Sequence, residues 1–449
     1  MATTITPNIV TLNVSITRAP TPSQLQQSGA LVSVGGTLLA TGSYQYCSTL
    51  SALTQILVST GSGNYAELLK MGTTFFAQGN AVGFYVLELG YNANLDTQIY
   101  NLQTWITNNP SIFYAYLVPA NWDMTADEVG SITVGVATYT YSTAPTVTLT
   151  TATGLGITAT ATAAINSSGQ VTGITITNPG SYPSQSAPTA TLSAATTGTA
   201  PVLTVHMSCS LNVLAGNYSS PAGMTYFFAT VAQANLANYT GSVYKSLFLT
   251  VQAPTAPSTE FTAASAFYQW LVNSPGTANQ LAPMAYRYAY GVTNWVLNGN
   301  QAAINTVLTD YANLILTGAQ GGISTACLFK GTTMDGEQSD WWYGVDWFQI
   351  QVDQALSAAI INGSNSNPPL LYNQLGINTL QAVAQQVANN AVTFGCLLSA
   401  TVTATPFITY TNANPTHYNA GIYNGLYAAV VGQNGFLTIT FNLNVSEFA

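Results

Sequence analysis

Two apolar runs with one amphipathic stretch between them constrain this chain more than any other feature. "VGFYVLEL" (82–89) and "SIFYAYLVP" (111–119) are almost uninterrupted apolar segments. A strand that is apolar along its whole length has both faces covered, which is the condition of a buried parallel sheet. Between them, "NLDTQIYNLQTWITNNP" spaces Leu95, Ile99, Leu102 and Ile106 on one helical face. Asn94 is placed to cap that helix and Pro110 forbids its continuation. Strand, helix, strand at this spacing predicts a parallel βαβ unit. Upstream, "STLSALTQILV" and "NYAELLKMGTTFF" read as two further helices of the same α/β region.

The texture then changes. Between Glu128 and Lys245 there is no charged residue, and the segment is rich in Thr, Ala, Ser, Gly and Val. "TAPTVTL" (143–149) returns as "SAPTATL" (186–192), with the alternating "VTGITIT" between them. Short strands with Gly/Pro turns predict a small all-β module. At Met224 the earlier pattern resumes, with "TYFFATV" and "KSLFLTV" as apolar strands. The chain is therefore expected to divide into strand arms at 1–20 and 435–449, a discontinuous α/β domain at 21–130 and 223–254, an inserted all-β module at 131–222, and an α+β domain at 255–434. The last domain opens with helices, at "EFTAASAFYQWLV", 300–316, "VDWFQIQVDQALSAAIING" and "NTLQAVAQQVANNAVTFG", where Asn378 is the expected N-cap and Gly395 the stop.

Both ends of the chain alternate. Val10, Leu12, Val14 and Ile16 face one way near the start; Leu437, Ile439, Phe441, Leu443 and Val445 do so near the end. Period-two alternation predicts half-buried strands. Such a terminal strand either folds back on its own domain or adds to a sheet edge in a neighbouring copy. Pattern alone leaves both open.

Charge narrows the function. Only 4% of residues are Asp, Glu, Lys or Arg, against about 25% in an average soluble domain. Large interfaces can form on such a surface without desolvating many charges. The five basic residues, Arg18, Lys70, Lys245, Arg287 and Lys330, are scattered, so no stripe exists to bind nucleic acid. No run reaches the roughly 18 apolar residues of a membrane span, and "MATTITPNIV" has no signal-peptide pattern. Cys47, Cys209, Cys327 and Cys396 form no metal-binding spacing and read as buried thiols.

The stretch most suggestive of chemistry is "MDGEQSDWWYGVDW". Asp335 and Glu337 beside Trp341, Trp342 and Trp347 could cleave a sugar. The competing reading sets Asp340 at a helix N-terminus and the tryptophans in the core. His206 and His417 have no nucleophile motif near them, and no phosphate-binding glycine pattern occurs. No catalytic residue, metal or cofactor is expected.

"FYAYLVPANWD" followed by "MTYFFATV" and "KSLFLTVQAP", "GGISTACLFKGTTMDG" followed by "VDWFQIQVDQAL", and "NNAVTFG", "LLSATVTATPFITY" and "GFLTITFNLNV" together resemble the contractile tail sheath proteins of bacteriophages. The resemblance is one of order and texture, covers most of the chain outside 131–222, and has the inserted module as its departure. It implies a tail-sheath-like core and a structural virion protein. Many copies would polymerise around a tail tube in the host cytoplasm, contact baseplate and tail terminator proteins, and contract to drive the tube through the host envelope. It further implies that the residues 10–16 and 437–445 are strands donated to neighbours, that 398–410 helps form the acceptor sheet, and that the module faces outward. The alternatives are another self-assembling surface protein, such as an adhesin or surface-layer subunit, and a glycan-active enzyme.

Overall fold

A computed structural model of the chain describes residues 22–437, apart from 94, 124–127, 152–155, 183–186, 209, 240–242, 298 and 318–324. At its centre is a six-stranded sheet. Its spatial order is Leu247–Val251, Tyr226–Val231, Ala115–Leu117, Gly29–Ser33, Phe84–Glu88, Tyr44–Cys47. All neighbours in it are parallel except the last pair. The mixed α/β and α+β fold class read from the sequence is the observed one.

The apolar runs are explained by what covers them. On one face Leu31, Val86, Tyr114, Phe228 and Phe248 pack against helices Tyr65–Ala77 and Ala263–Leu271. On the other, Ala30, Val32, Leu87, Phe227 and Leu249 meet Ile99 and Leu102 of helix Leu95–Asn108, Leu211 and Leu214 of helix Ser210–Asn217, and Ile304 and Val307 of helix Gln301–Thr309. Burial of each such side chain contributes about 1.5–3 kcal/mol.

The charge-poor segment forms a satellite. Strand Glu128–Val134 pairs antiparallel with Leu203–Ser208, so entry and exit lie side by side. Beyond this neck are the hairpin Thr160–Ile165/Val171–Asn178 and the pair Val147–Leu149/Ala190–Leu192. That pair is the sequence repeat itself. Thr148 faces Thr191, while Leu149 faces Ala190 and Val147 faces Leu192, so the two copies meet about a local two-fold. Val129, Ile132, Leu149, Tyr182 and Leu203 form a small core separate from the two faces of the main sheet.

Three local expectations are corrected. The helix expected over 300–316 stops at Thr309. Tyr311 takes a φ of 57° and the chain turns into strand Leu314–Thr317. Asn313 is the cause: its backbone pairs with Leu249 and Val251 at the edge of the main sheet, and its side chain bonds Leu249 and Thr332. Tertiary pairing overrides helical spacing there. The helix expected to start at Asn378 starts earlier, as Gln374–Thr393, with the Asn373 side chain accepting from Gly376 N–H at 2.9 Å. The strand in "LLSATVTATPFITY" ends at Ala404; Pro406, with no N–H to give, precedes helix Phe407–Ala413.

The helix Ser339–Ser364 joins the two halves. Gly344 lets it touch the backbone before the C-terminal strand: a Cβ there would sit 2.1 Å from the Cys396 carbonyl oxygen. Asp346, fully buried on this helix, accepts from Tyr114 (2.8 Å) and Tyr226 (2.7 Å), both at the starts of central strands. Lys245 lies 3.9 Å from the same carboxylate and over the Trp342 ring at 4.4 Å.

Candidate assembly interface

The C-terminal part carries a two-stranded antiparallel sheet, Leu397–Ala404 with Leu426–Gly432. Both strands are built mostly of small and β-branched residues, which suit a pleated, half-buried surface. Ala400, Val402, Leu426 and Val430 face inward and pack toward helices Ser339–Ser364 and Gln374–Thr393. Thr401, Thr403, Tyr427, Ala429 and Val431 face out, with Tyr427 60% and Val431 49% exposed.

A two-stranded sheet has two edges, and an isolated pair of strands is marginal in water. Here the edges differ. Val402 N–H and C=O turn away from the partner strand, to Gln385 and Gln381 of the neighbouring helix. In an antiparallel ladder that alternation places the N–H and C=O of Ala428, opposite Val402, on the far edge. Among the described residues no strand pairs with Ala428 and Val430 on that edge.

The chain leaves this far strand across the body. Gln338 bonds both backbone groups of Gly435, accepting at 2.8 Å and donating at 3.0 Å. Tyr286 donates to the Leu437 carbonyl oxygen. Phe436 between them is 88% exposed. Of the nine alternating terminal residues, Leu437 is half-buried and held by Tyr286. Val10, Leu12, Val14, Ile16, Ile439, Phe441, Leu443 and Val445 lie outside the described residues.

The acidic, tryptophan-rich stretch is a structural corner. Asp335 accepts from Thr333 (2.7 Å), the Glu337 N–H (3.2 Å) and the Trp342 indole (2.7 Å), so both oxygens are engaged. Asp340 opens the long helix, is buried, and accepts from Met284 N–H at 3.2 Å. Burial pushes its carboxyl up to about 6, against the pull of that bond and of Arg287. Trp341 and Trp342 stack edge to face, and Trp347 packs on Phe394. His417 Nδ1 is 2.7 Å from the Tyr410 hydroxyl. Cys47, Cys327 and Cys396 are buried free thiols. The side chain of His206 and Cys209 lie outside the described residues.

Open parallel sheets generally bind ligands beyond the carboxyl ends of their strands. In this chain Glu88 fills that crevice. Its carboxylate accepts from Ser33, from Gly35, Thr37 and Gly90 N–H, and from the Thr37 hydroxyl, at 2.6–3.1 Å. The donors of the glycine loop are spent on the protein's own carboxylate. Sequence reading missed this residue; an acid within an apolar strand, three residues after Tyr85, was the available signal.

No protein-family model matches the sequence, and no curated protein matches it. Among the solved structures that match it from end to end are the following two. A chain of the anti-feeding prophage (AFP) baseplate is 12% identical, with a TM-score of 0.55, the match covering 99% of this chain and 100% of that one. A chain of the AFP helical sheath in the contracted state is also 12% identical, with a TM-score of 0.50 over 98% and 99%. The class of protein defined here is thus a chain with the fold of these baseplate and helical-sheath chains, carrying in its C-terminal half a two-stranded sheet with one edge unpaired among the described residues.

Proposed function

We propose that this chain is a structural subunit of a contractile tail sheath. Many copies polymerise around a tail tube, and the assembled cylinder shortens to drive the tube through a host envelope. The supporting observation is that one fold runs the full length of this chain and of a contracted sheath subunit. The open edge at Ala428 and Val430 adds to it, since a terminal strand from a neighbouring copy would complete that ladder. The residues 10–16 and 437–445 are the proposed strands.

Tube, baseplate and terminator proteins are the proposed partners, and the virion tail the proposed location, with assembly in the host cytoplasm. The energy is stored in packing at assembly and released by subunit rotation and sliding, with no chemical step. The module 131–222 is proposed to face outward, where bulk does not obstruct the tube, with the exception of its helix Ser210–Asn217, which packs on the main sheet. Negative-stain electron microscopy of the purified chain tests the reading: long tubes are expected, and a protein that stays monomeric at high concentration and ionic strength would overturn it.

A further inference from the structure

The guarded edge of the small sheet carries a second message. Gln385 Oε1 accepts from Val402 N–H at 2.8 Å, and Gln381 Nε2 donates to Val402 C=O at 3.0 Å. Gln385 Nε2 also reaches the Ala400 carbonyl oxygen at 3.4 Å. These are the backbone groups that an added strand would use. Gln381 and Gln385 are one turn apart on the same helix, and each presents a primary amide, chemically a peptide group on a tether.

The same device recurs elsewhere in this chain. Gln338 bonds the N–H and C=O of Gly435, and Gln78 bonds the N–H and C=O of Tyr290. In a sequence with so few charges, glutamine is used in place of a strand.

We propose that Gln381 and Gln385 are a removable stand-in for a donated strand. In the lone subunit they occupy the Leu397–Ala404 edge and keep it from pairing at random. On assembly, a terminal strand of a second copy displaces them and takes their hydrogen bonds. Among the described residues the opposite edge, at Ala428 and Val430, has no such guard. The two edges therefore fill in order, the open one first. This rests on the strand-donation reading above.

The test uses the full-length chain, as wild type and as Gln381→Met/Gln385→Met. Methionine keeps length and flexibility and removes the amide. Two labelled synthetic peptides, residues 7–18 and 435–449, are titrated into each protein, and hydrogen exchange at Val402 is followed. In the variant the Val402 amide is expected to exchange about tenfold faster, the loss of one net hydrogen bond's worth of protection. One peptide is expected to bind the variant about tenfold tighter, and the other, which fits the open edge, equally to both. Equal affinities for both peptides, with or without a faster Val402 amide, would overturn the guard while leaving strand donation standing. Peptides that bind neither protein would overturn strand donation itself. Should the double variant not fold, Gln385→Met alone removes the acceptor of the Val402 N–H and the bond to the Ala400 carbonyl and is expected to shift the same readings part of the way; no shift counts against the guard.

Discussion

The Lys245 ammonium stands 3.9 Å from the Asp346 carboxylate, with both side chains removed from water. Burial lowers the lysine pKa and pushes the aspartate up to about 6, against the pull of Lys245, Tyr226 and Tyr114. This pair joins the central sheet to the long helix. Removing one member leaves the other charged and unpaired. Asp346→Leu should therefore cost about 3–5 kcal/mol, and Asp346→Leu with Lys245→Met clearly less, because an apolar replacement of a whole buried pair is often near neutral. Guanidinium unfolding followed by tryptophan fluorescence measures both; equal losses in the two variants would refute the coupling.

Stability should depend on pH through Asp340 and Asp346. Both folded carboxyls are raised to about 6, while an unfolded aspartate sits near about 3.9. The folded state binds more protons between those values. The contribution is complete below about pH 4 and is lost as pH rises through about 6, roughly 3 kcal/mol for each group. A melting temperature that falls between pH 5 and pH 7, and falls less in Asp340→Asn, is the expected result.

Deleting residues 436–449 should leave a folded, soluble monomer that makes no long tubes. Among the described residues this removes an exposed phenylalanine and the bond from Tyr286 to Leu437, neither of which holds a core. Circular dichroism and electron microscopy of the truncated chain check the two halves separately. Unchanged tubes would count against strand donation.

Replacing 136–201 with a short turn should leave both folding and assembly intact. Gly135 N–H already bonds the Val202 carbonyl oxygen at 2.8 Å across the neck, so the cut ends meet. Extending the excision to 222 also takes Leu211 and Leu214 out of the main core, and losses of about 2–5 kcal/mol for each buried leucine follow. Thermal melts of the two shortened chains should separate by many degrees.

Asp335→Ala should lower stability by about 1–3 kcal/mol through the unpaired Trp342 indole and the opened turn. Glycan turnover by the wild type that vanished in this variant would instead revive an enzymatic reading.

What was legible depended on whether local chemistry and tertiary demand agreed. The buried strands at 84–88, 115–117, 226–231 and 247–251 could be read because two-sided burial leaves an unbroken apolar run. The repeat was visible, but not that its copies pair with each other, since register is a matter of three-dimensional closure. The strand at 314–317 was misread as helix because its cause, Asn313 at the sheet edge, is a long-range partner with no local signature. Asp346 appeared as one acid among four near tryptophans; only the fold brings Tyr114, Tyr226 and Lys245 to it. Nothing in the local pattern of their helix ties Gln381 and Gln385 to Val402, which the fold alone brings to them.

The neck strands Glu128–Val134 and Leu203–Ser208 have a further bearing on how such a chain can change over time. To the rest of the molecule, everything beyond them amounts to a single hairpin loop whose two ends are already held together. The entropy of closing such a loop grows only as the logarithm of its length, about 0.6 kcal/mol for each doubling. Lineages could thus trade one decoration for another of different size at this doorway, and the machinery beneath would scarcely register the exchange.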